Sequence, residues 1–202
     1  ILNMKKTNVY TVLGIMTGTS MDGIDISLIQ TNGNKLVKII SEKSYQYSKN
    51  NHIILKNINK KDYQNNIKLS QLNIKYSNLL IKFIHKFLKE KKIKKNKLDL
   101  VSISGQTIIH DPKNKISIQI GCPQFISNKL KLKVASNFRS NDLKSGGQGA
   151  PIGSFYHKYL INKINKNSLI INLGGVANFA LLYKNILFSS DIGPANAISD
   201  DL

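Results

Sequence analysis

Two apolar runs open the chain, Val9 to Leu13 and Ile24 to Ile29, with a glycine- and hydroxyl-rich stretch from Gly14 to Gly23 between them. Strand, turn and strand in that order predict a hairpin. Thr31-Asn32-Gly33-Asn34 carries Asn-Gly at its centre, a turn signal, and Leu36 to Ile40 follows as a third strand, so residues 9–47 read as an antiparallel meander. Residues 50–70 are polar and lysine-rich and predict a helix with a connecting segment. Leu72, Tyr76, Leu79, Leu80, Phe83, Phe87 and Leu88 then recur in steps of three and four, which puts them on one helical stripe between Ser70 and Lys92. Leu98 to Ile103 is a short buried-strand pattern, and Ile116, Ile118 and Ile120 alternate with polar residues as a strand does. Pro123 to Lys129 predicts a short helix with proline at an early position, and Leu132 to Ala135 a strand. After a loop, Ile152 to Ile164 reads as a helix. Ser168 to Leu173, Phe179 to Tyr183 and Ile186 to Phe188 make a second set of strands around a glycine turn.

Polar residues gather where these strands end. In the first turn Gly14, Gly18 and Gly23 permit close backbone approach, Thr17, Thr19 and Ser20 supply hydroxyls, and Asp22 and Asp25 supply carboxylates. That set suits a triphosphate and its Mg²⁺, although an ordinary hairpin turn has a similar composition. Ser104-Gly105-Gln106-Thr107 follows a buried strand, the position an α/β ligand cleft uses. Phe138-Arg139-Ser140-Asn141-Asp142 leads into Gly146-Gly147-Gln148-Gly149-Ala150-Pro151 and reads as a loop. Arg139 is the single arginine of the chain, and a two-pronged grip on an anion or carboxylate explains its choice over lysine. A surface loop with a chance arginine is the plainer alternative. Gly174 and Gly175 end the later buried strand, and Asp191-Ile192-Gly193-Pro194-Ala195-Asn196 closes that unit. Two strand-ending glycine turns facing one another could hold a triphosphate from both sides.

Composition alters this picture little. The formal net charge is +19, but 30 basic residues include one Arg, and Lys, Asn and Ile are abundant together. Recognition of nucleic acid favours arginine's planar fork, so the charge reads as compositional bias rather than a polyanion site. Cys122 is the only cysteine, which excludes an internal disulfide and fits a reducing compartment, here the cytoplasm. No apolar run approaches the roughly 18 residues of a membrane span.

The ordered set of motifs adds what composition lacks. Gly18 to Asp25, Ser104 to Thr107 with His110-Asp111-Pro112, Gln119 to Gly121, Phe138 to Asp142 with Gly146 to Pro151, Asn172 to Phe179 and Asp191 to Asn196 closely resemble the anhydro-N-acetylmuramic acid kinases. The resemblance runs from about residue 12 to the end of the chain. It implies an α/β, actin-like ATPase (ribonuclease H-like) fold, with a largely complete first domain over residues 1–150 and the start of a truncated second domain over 151–202. It implies an enzyme of cell-wall recycling that uses ATP, Mg²⁺ and water to open the 1,6-anhydro bridge of its amino sugar and phosphorylate O6.

Carried over position by position, Gly18, Thr19, Ser20, Met21, Asp22, Gly23, Ile24 and Asp25 would be the ATP phosphate loop, and Gly174, Gly175, Asp191 and Gly193 the second nucleotide-facing loops. Asp142 would be the general base that activates water. Gln106, Thr107 and Arg139 would line the sugar side. The metal ligands are not specified, and the family suggests a homodimer. Ser104 stands where the family has His, and Ala195 where it has Gly between Pro and Asn. The rival readings are an inactive fragment with residual ligand binding and a basic nucleic-acid-binding protein.

Overall fold

Strands β1 (Tyr10–Met16), β2 (Gly23–Thr31) and β3 (Val37–Gln46) form the antiparallel meander that the opening apolar runs call for. The computed structural model describes residues 8–18, 21–56, 66–164 and 167–196. Alternation decides the facing: Leu13 pairs with Leu28, Ile15 with Ile26 and Ile24 with Tyr45, so all six share one buried face. Helix α1 (Lys49–Lys56) follows, and the connection expected after it falls on residues 57–65, outside the described residues.

Helix α2 (Asn66–Glu90) starts earlier than its apolar stripe suggests. Tyr76, Leu80, Ile84, Phe87 and Leu88 are buried in one cluster with the sheet face, and Phe83 sits with its ring centroid 5.4 Å from Tyr45 and 5.9 Å from Tyr47. Phe87 is fully buried, and its replacement by alanine would cost roughly 3–5 kcal/mol. Strand β4 (Leu100–Ile103) then pairs parallel to β1, setting Val101 beside Leu13 and Ile103 beside Ile15. Strands β5 (Gln106–Asp111) and β6 (Ile116–Ile120) make a separate two-stranded sheet. Helix α3 (Pro123–Leu130) has proline in its first turn, where no backbone donor is lost, and closes on Lys131 at φ 53°. Strand β7 (Val134–Ala135) adds parallel to β4, giving a mixed five-stranded sheet in the order β3-β2-β1-β4-β7.

The stretch expected as a loop contains a helical turn, α4 (Ser140–Lys144). Leu143 drives it, because the turn buries that side chain to 2% exposure while Asn141, Asp142 and Lys144 stay in water. Helix α5 (Ser154–Ile164) precedes strands β8 (Leu169–Leu173), β9 (Val176–Tyr183) and β10 (Ile186–Pro194), an antiparallel sheet in the order β10-β9-β8. Its core is Ile161, Ala180 and Leu182, with Ile170 and Leu187 against them. Strand β10 continues beyond the apolar run that predicts it: Asp191 pairs with Asn178, and after a bulge between Asp191 and Gly193 the pairing resumes with Ala177 and Val176.

The chain divides into two units. The first takes residues 1–17, 21–109 and 118–137, and the second takes 18–20, 110–117 and 138–202. No helix among the described residues is long and apolar enough to cross a membrane.

Candidate functional site

In the first unit the turn after β1 is held from below. Thr17, only 8% exposed, donates its hydroxyl to the Gly105 carbonyl at 3.0 Å, and its amide donates to Ser104 Oγ at 3.3 Å. Ser104 therefore ties the end of β4 to the turn through its hydroxyl, which also donates to the Gly105 carbonyl at 3.3 Å. Tyr47 and Tyr76 pair their hydroxyls at 3.0 Å beneath, and burial pushes both phenols above their usual range.

Met21 takes φ 57°, an uncommon conformation for a side-chain-bearing residue. Asp22 accepts the Tyr47 amide on its carbonyl at 2.8 Å and leaves its side chain exposed. Gly23 opens β2 so close to β3 that a Cβ there would lie 2.5 Å from the Tyr45 carbonyl oxygen. Ile24 points into the core, so it supports the turn from within rather than lining its surface. Asp25 is exposed and accepts the Ser44 hydroxyl at 2.5 Å. Gly18 groups with the second unit, and Thr19 and Ser20 lie outside the described residues.

A cleft of about 480 Å³ also belongs to the first unit. Asn73 from α2, Ser104 and Gly105 after β4, Gln119 from β6, Cys122 before α3 and Asn137 all line it, and none of its lining residues is charged. In a chain with 20% charged residues, that neutrality suits hydroxyls and amides better than a phosphate. Gln106, fully buried, and Thr107, half-buried, start β5 in the same unit. Gln119 was quoted with its motif but given no role in the sequence reading, and the lining amide of Asn73 went unnoticed as a polar position of a helix.

The second unit centres on Gly149. Its amide donates to Asp142 Oδ2 at 2.6 Å, and its carbonyl accepts Arg139 Nη1 at 2.7 Å, so one residue fixes both side chains. The glycines around it have steric reasons. A Cβ on Gly147 would collide with the Asp142 carboxylate, whose backbone carbonyl also accepts the Gly147 amide at 2.8 Å. Gly149 itself has φ +68°, and a Cβ there would press to 3.1 Å from Leu143 and 3.2 Å from Arg139. Asp142 is exposed, a carboxylate fixed on one oxygen and open to solvent.

Arg139 is partly buried, and its Nε has no hydrogen-bond partner among the described residues. Burial pulls the guanidinium below its usual range, while the charge of Asp191 opposes that shift. Asp191 thus acts on the same centre from the far sheet. His110, quoted with its motif but given no role in the sequence reading, belongs here too. Burial lowers its pKa first and the Arg139 charge second, against Asp191 and the Gln148 carbonyl, and its Nδ1 lies 3.0 Å from Ser117 Oγ. Its proximity to Arg139 carries no signal at the level of spacing, since 29 residues separate the two.

Gly174 and Gly175 turn β8 into β9, and the Asp191-to-Asn196 motif lies directly against them. The Ala195 amide donates to the Gly175 carbonyl at 3.0 Å, the Asn196 amide to the Gly174 carbonyl at 3.0 Å, and Asn196 Nδ2 to the Leu173 carbonyl at 3.0 Å. Ala195 is not among the residues of positive φ, so alanine fits this backbone. Gly193 follows the bulge, and a Cβ there would meet open space. Among the described residues no group of three or more His, Cys, Asp or Glu could hold a metal ion.

A mixed sheet whose first three strands are antiparallel and whose last two are parallel, followed by a second three-stranded meander, places the chain in the actin-like ATPase class. Within that class the family model described as anhydro-N-acetylmuramic acid kinase matches residues 10–202. The chain belongs to the anhydro-N-acetylmuramic acid kinase family. A Pelagibacter ubique protein of that name is 42% identical over 95% of this chain and 53% of its own length. One from Legionella pneumophila strain Lens is 34% identical over 93% of this chain and 51% of its own, and one from Bradyrhizobium diazoefficiens is 31% identical over 95% and 54%. The chain spans about half the length of the curated relatives it matches.

Proposed function

We propose that this chain carries the phosphate loop, the general base and the sugar-contacting residues of an ATP-dependent kinase that opens the 1,6-anhydro bridge of anhydro-N-acetylmuramic acid and phosphorylates O6. The observation that carries the reading is Asp142, exposed yet pinned on one oxygen by the Gly149 amide at 2.6 Å. A carboxylate oriented in this way is suited to take a proton from water. That water adds to the anomeric carbon, the bond from that carbon to O6 breaks, and O6 bonds to the γ-phosphorus as ADP departs. The products are N-acetylmuramic acid 6-phosphate and ADP, consistent with a role in peptidoglycan recycling.

Gly18 to Asp25 would be the ATP phosphate loop, and Gly174, Gly175, Asp191 and Gly193 the second nucleotide-facing loops. Arg139, through its unpartnered Nε, would meet the sugar, and Gln106 and Thr107 would stand beside the neutral cleft that fits its hydroxyls and amide. Mg²⁺ takes few protein ligands and keeps phosphate and water oxygens, so the two exposed carboxylates Asp22 and Asp25 fit it although no three-residue cluster exists among the described residues. Bound there with ATP, it would neutralise charge on the transferring phosphoryl group. The single cysteine and the small-molecule substrates fit a cytoplasmic enzyme, and dimerisation would belong to the family-length protein.

A coupled ADP-release assay, with and without the anhydro sugar, tests the reading on this chain and on the chain joined to the remaining half of the Pelagibacter ubique relative. Sugar-dependent release from the joined protein is the expected result. Release that ignores the sugar overturns the substrate assignment.

A further inference from the structure

Asn73, Tyr76 and Ser77 share one turn and one face of α2, and they hold two places at once. Asn73 Oδ1 accepts the Gly121 amide at 2.9 Å, and Ser77 Oγ accepts the Cys122 amide at 2.8 Å. Ser77 also donates its hydroxyl to the Asn73 carbonyl at 2.6 Å, so the two acceptors are tied together within the helix. Between them the Tyr76 ring packs under the same segment, where a Cβ on Gly121 would lie 3.6 Å away. Asn73, Gly121 and Cys122 line the neutral cleft. In the other direction Tyr76 pairs its hydroxyl with Tyr47 at 3.0 Å, and the Tyr47 amide donates to the Asp22 carbonyl at 2.8 Å.

The protons of the buried hydroxyls run one way. A carbonyl only accepts, so Thr17 gives its single hydroxyl proton to Gly105, another residue of the cleft. The Tyr76 hydroxyl, which also hydrogen-bonds the Thr17 side chain, must then donate to Thr17, and Tyr47 must donate to Tyr76. Tyr47, Tyr76, Thr17 and the Gly105 carbonyl thus form one line in which each member fixes the next. It holds Thr17 and Asp22, the two flanks of the turn between β1 and β2, and it ends on the cleft. Packing does not account for the phenols. Phenylalanine would fill the same buried space with no hydroxyl to satisfy.

We propose that Tyr47 and Tyr76 are positioning residues that brace the flanks of the phosphate turn against the wall of the neutral cleft, so that α2 sets nucleotide and sugar in one register. The identity of the two ligands rests on the function proposed above; the brace does not.

Four amides each report one bond of the brace: Thr17 to Ser104, Tyr47 to Asp22, Gly121 to Asn73 and Cys122 to Ser77. Hydrogen exchange followed by NMR on this chain reads all four. Tyr76→Phe should speed exchange at each of them roughly fivefold or more, as loss of a hydrogen bond does to local opening. Tyr45→Phe is the control, because it removes a phenol hydroxyl that bonds Glu90 at 2.7 Å instead, and it should leave all four rates unchanged. Tyr47→Phe, which cuts the line at its other end, should repeat the Tyr76→Phe pattern and serves if that variant folds poorly. In the joined protein Tyr76→Phe should raise KM for ATP and KM for the anhydro sugar roughly fivefold or more, with kcat within about twofold. Mere loss of folded protein lowers kcat and leaves both KM values alone. Unchanged exchange at Gly121 and Cys122 in both phenylalanine variants overturns the proposal. So does a rise in one KM without the other, or an equal response to Tyr45→Phe. Exchange that changes as expected, with a joined protein that binds no nucleotide, keeps the brace and removes the functional reading instead.

Discussion

The Gly149 amide donates to Asp142 Oδ2 at 2.6 Å, and this bond aims the carboxylate. Asparagine in place of Asp142 keeps an oxygen that can accept the same amide, so Asp142→Asn removes the base with little change in geometry. In the joined protein, sugar-dependent ADP release should fall roughly 10²- to 10⁴-fold, the usual contribution of a positioned base. Nucleotide affinity, measured by calorimetry, should not change. A loss of nucleotide binding in Asp142→Asn would move the residue out of the base role.

Gly147→Ala probes the same carboxylate sterically. The new Cβ would occupy the space of the Asp142 side chain, so the carboxylate must leave the Gly149 amide. A destabilisation of about 1–3 kcal/mol is expected, as for other overpacked sites. Gly146→Ala meets nothing within 4 Å but carries a φ of +89°, so it reports backbone strain alone. Thermal melting of both variants separates clash from strain, and only Gly147→Ala should reduce turnover by displacing Asp142.

How much of this could be read beforehand depended on range. The strands and α2 follow from periodicity, because burial of one face is a local property of Leu13, Ile15, Ile24 and Ile26 or of Tyr76, Leu80 and Phe87. The placement of Asp142 was legible only as a motif, since the reason for its glycines is a steric fit within the folded loop. Helix α4 escaped the pattern because five residues are too few to show a period, and Leu143 is its sole buried residue. The extension of β10 escaped it because the bulge at Ile192 interrupts alternation. The approach of His110 to Arg139, and of Asn196 to Leu173, is a tertiary fact with no sequence signal.

The paired phenols of Tyr47 and Tyr76 predict a loss of stability in alkali. Burial raises the pKa of both, and burial with the Glu90 hydrogen bond raises that of Tyr45. A group whose folded pKa lies above its unfolded value contributes fully below the unfolded value, near 10, and that contribution is lost as pH rises beyond it. Urea unfolding from about pH 8 to about pH 11 should show stability falling with pH above about 10. Tyr47→Phe should flatten that slope and cost about 1 kcal/mol at neutral pH through the lost hydroxyl pair. An unchanged slope would show that this pair does not titrate with unfolding.

His110 predicts the opposite dependence in acid. Its pKa is lowered by burial and then by the Arg139 charge, and the opposing groups, Asp191, the Gln148 carbonyl and Asp111, do not offset the shift. The unfolded chain therefore binds this proton more readily than the folded one. The stabilisation is present above the unfolded pKa of about 6.5 and is lost as pH falls through the lower folded value. His157, whose pKa burial also lowers, adds to the same trend. The imidazole signals of His110 and His157 in a proton NMR titration should have midpoints below 6.5, and thermal stability should decline over the same range. His110→Gln should keep a polar contact to Ser117 while removing part of that decline. Arg139→Gln, by removing the neighbouring charge, should move the His110 midpoint upward; a midpoint that does not move would place the guanidinium too far from the imidazole to act on it.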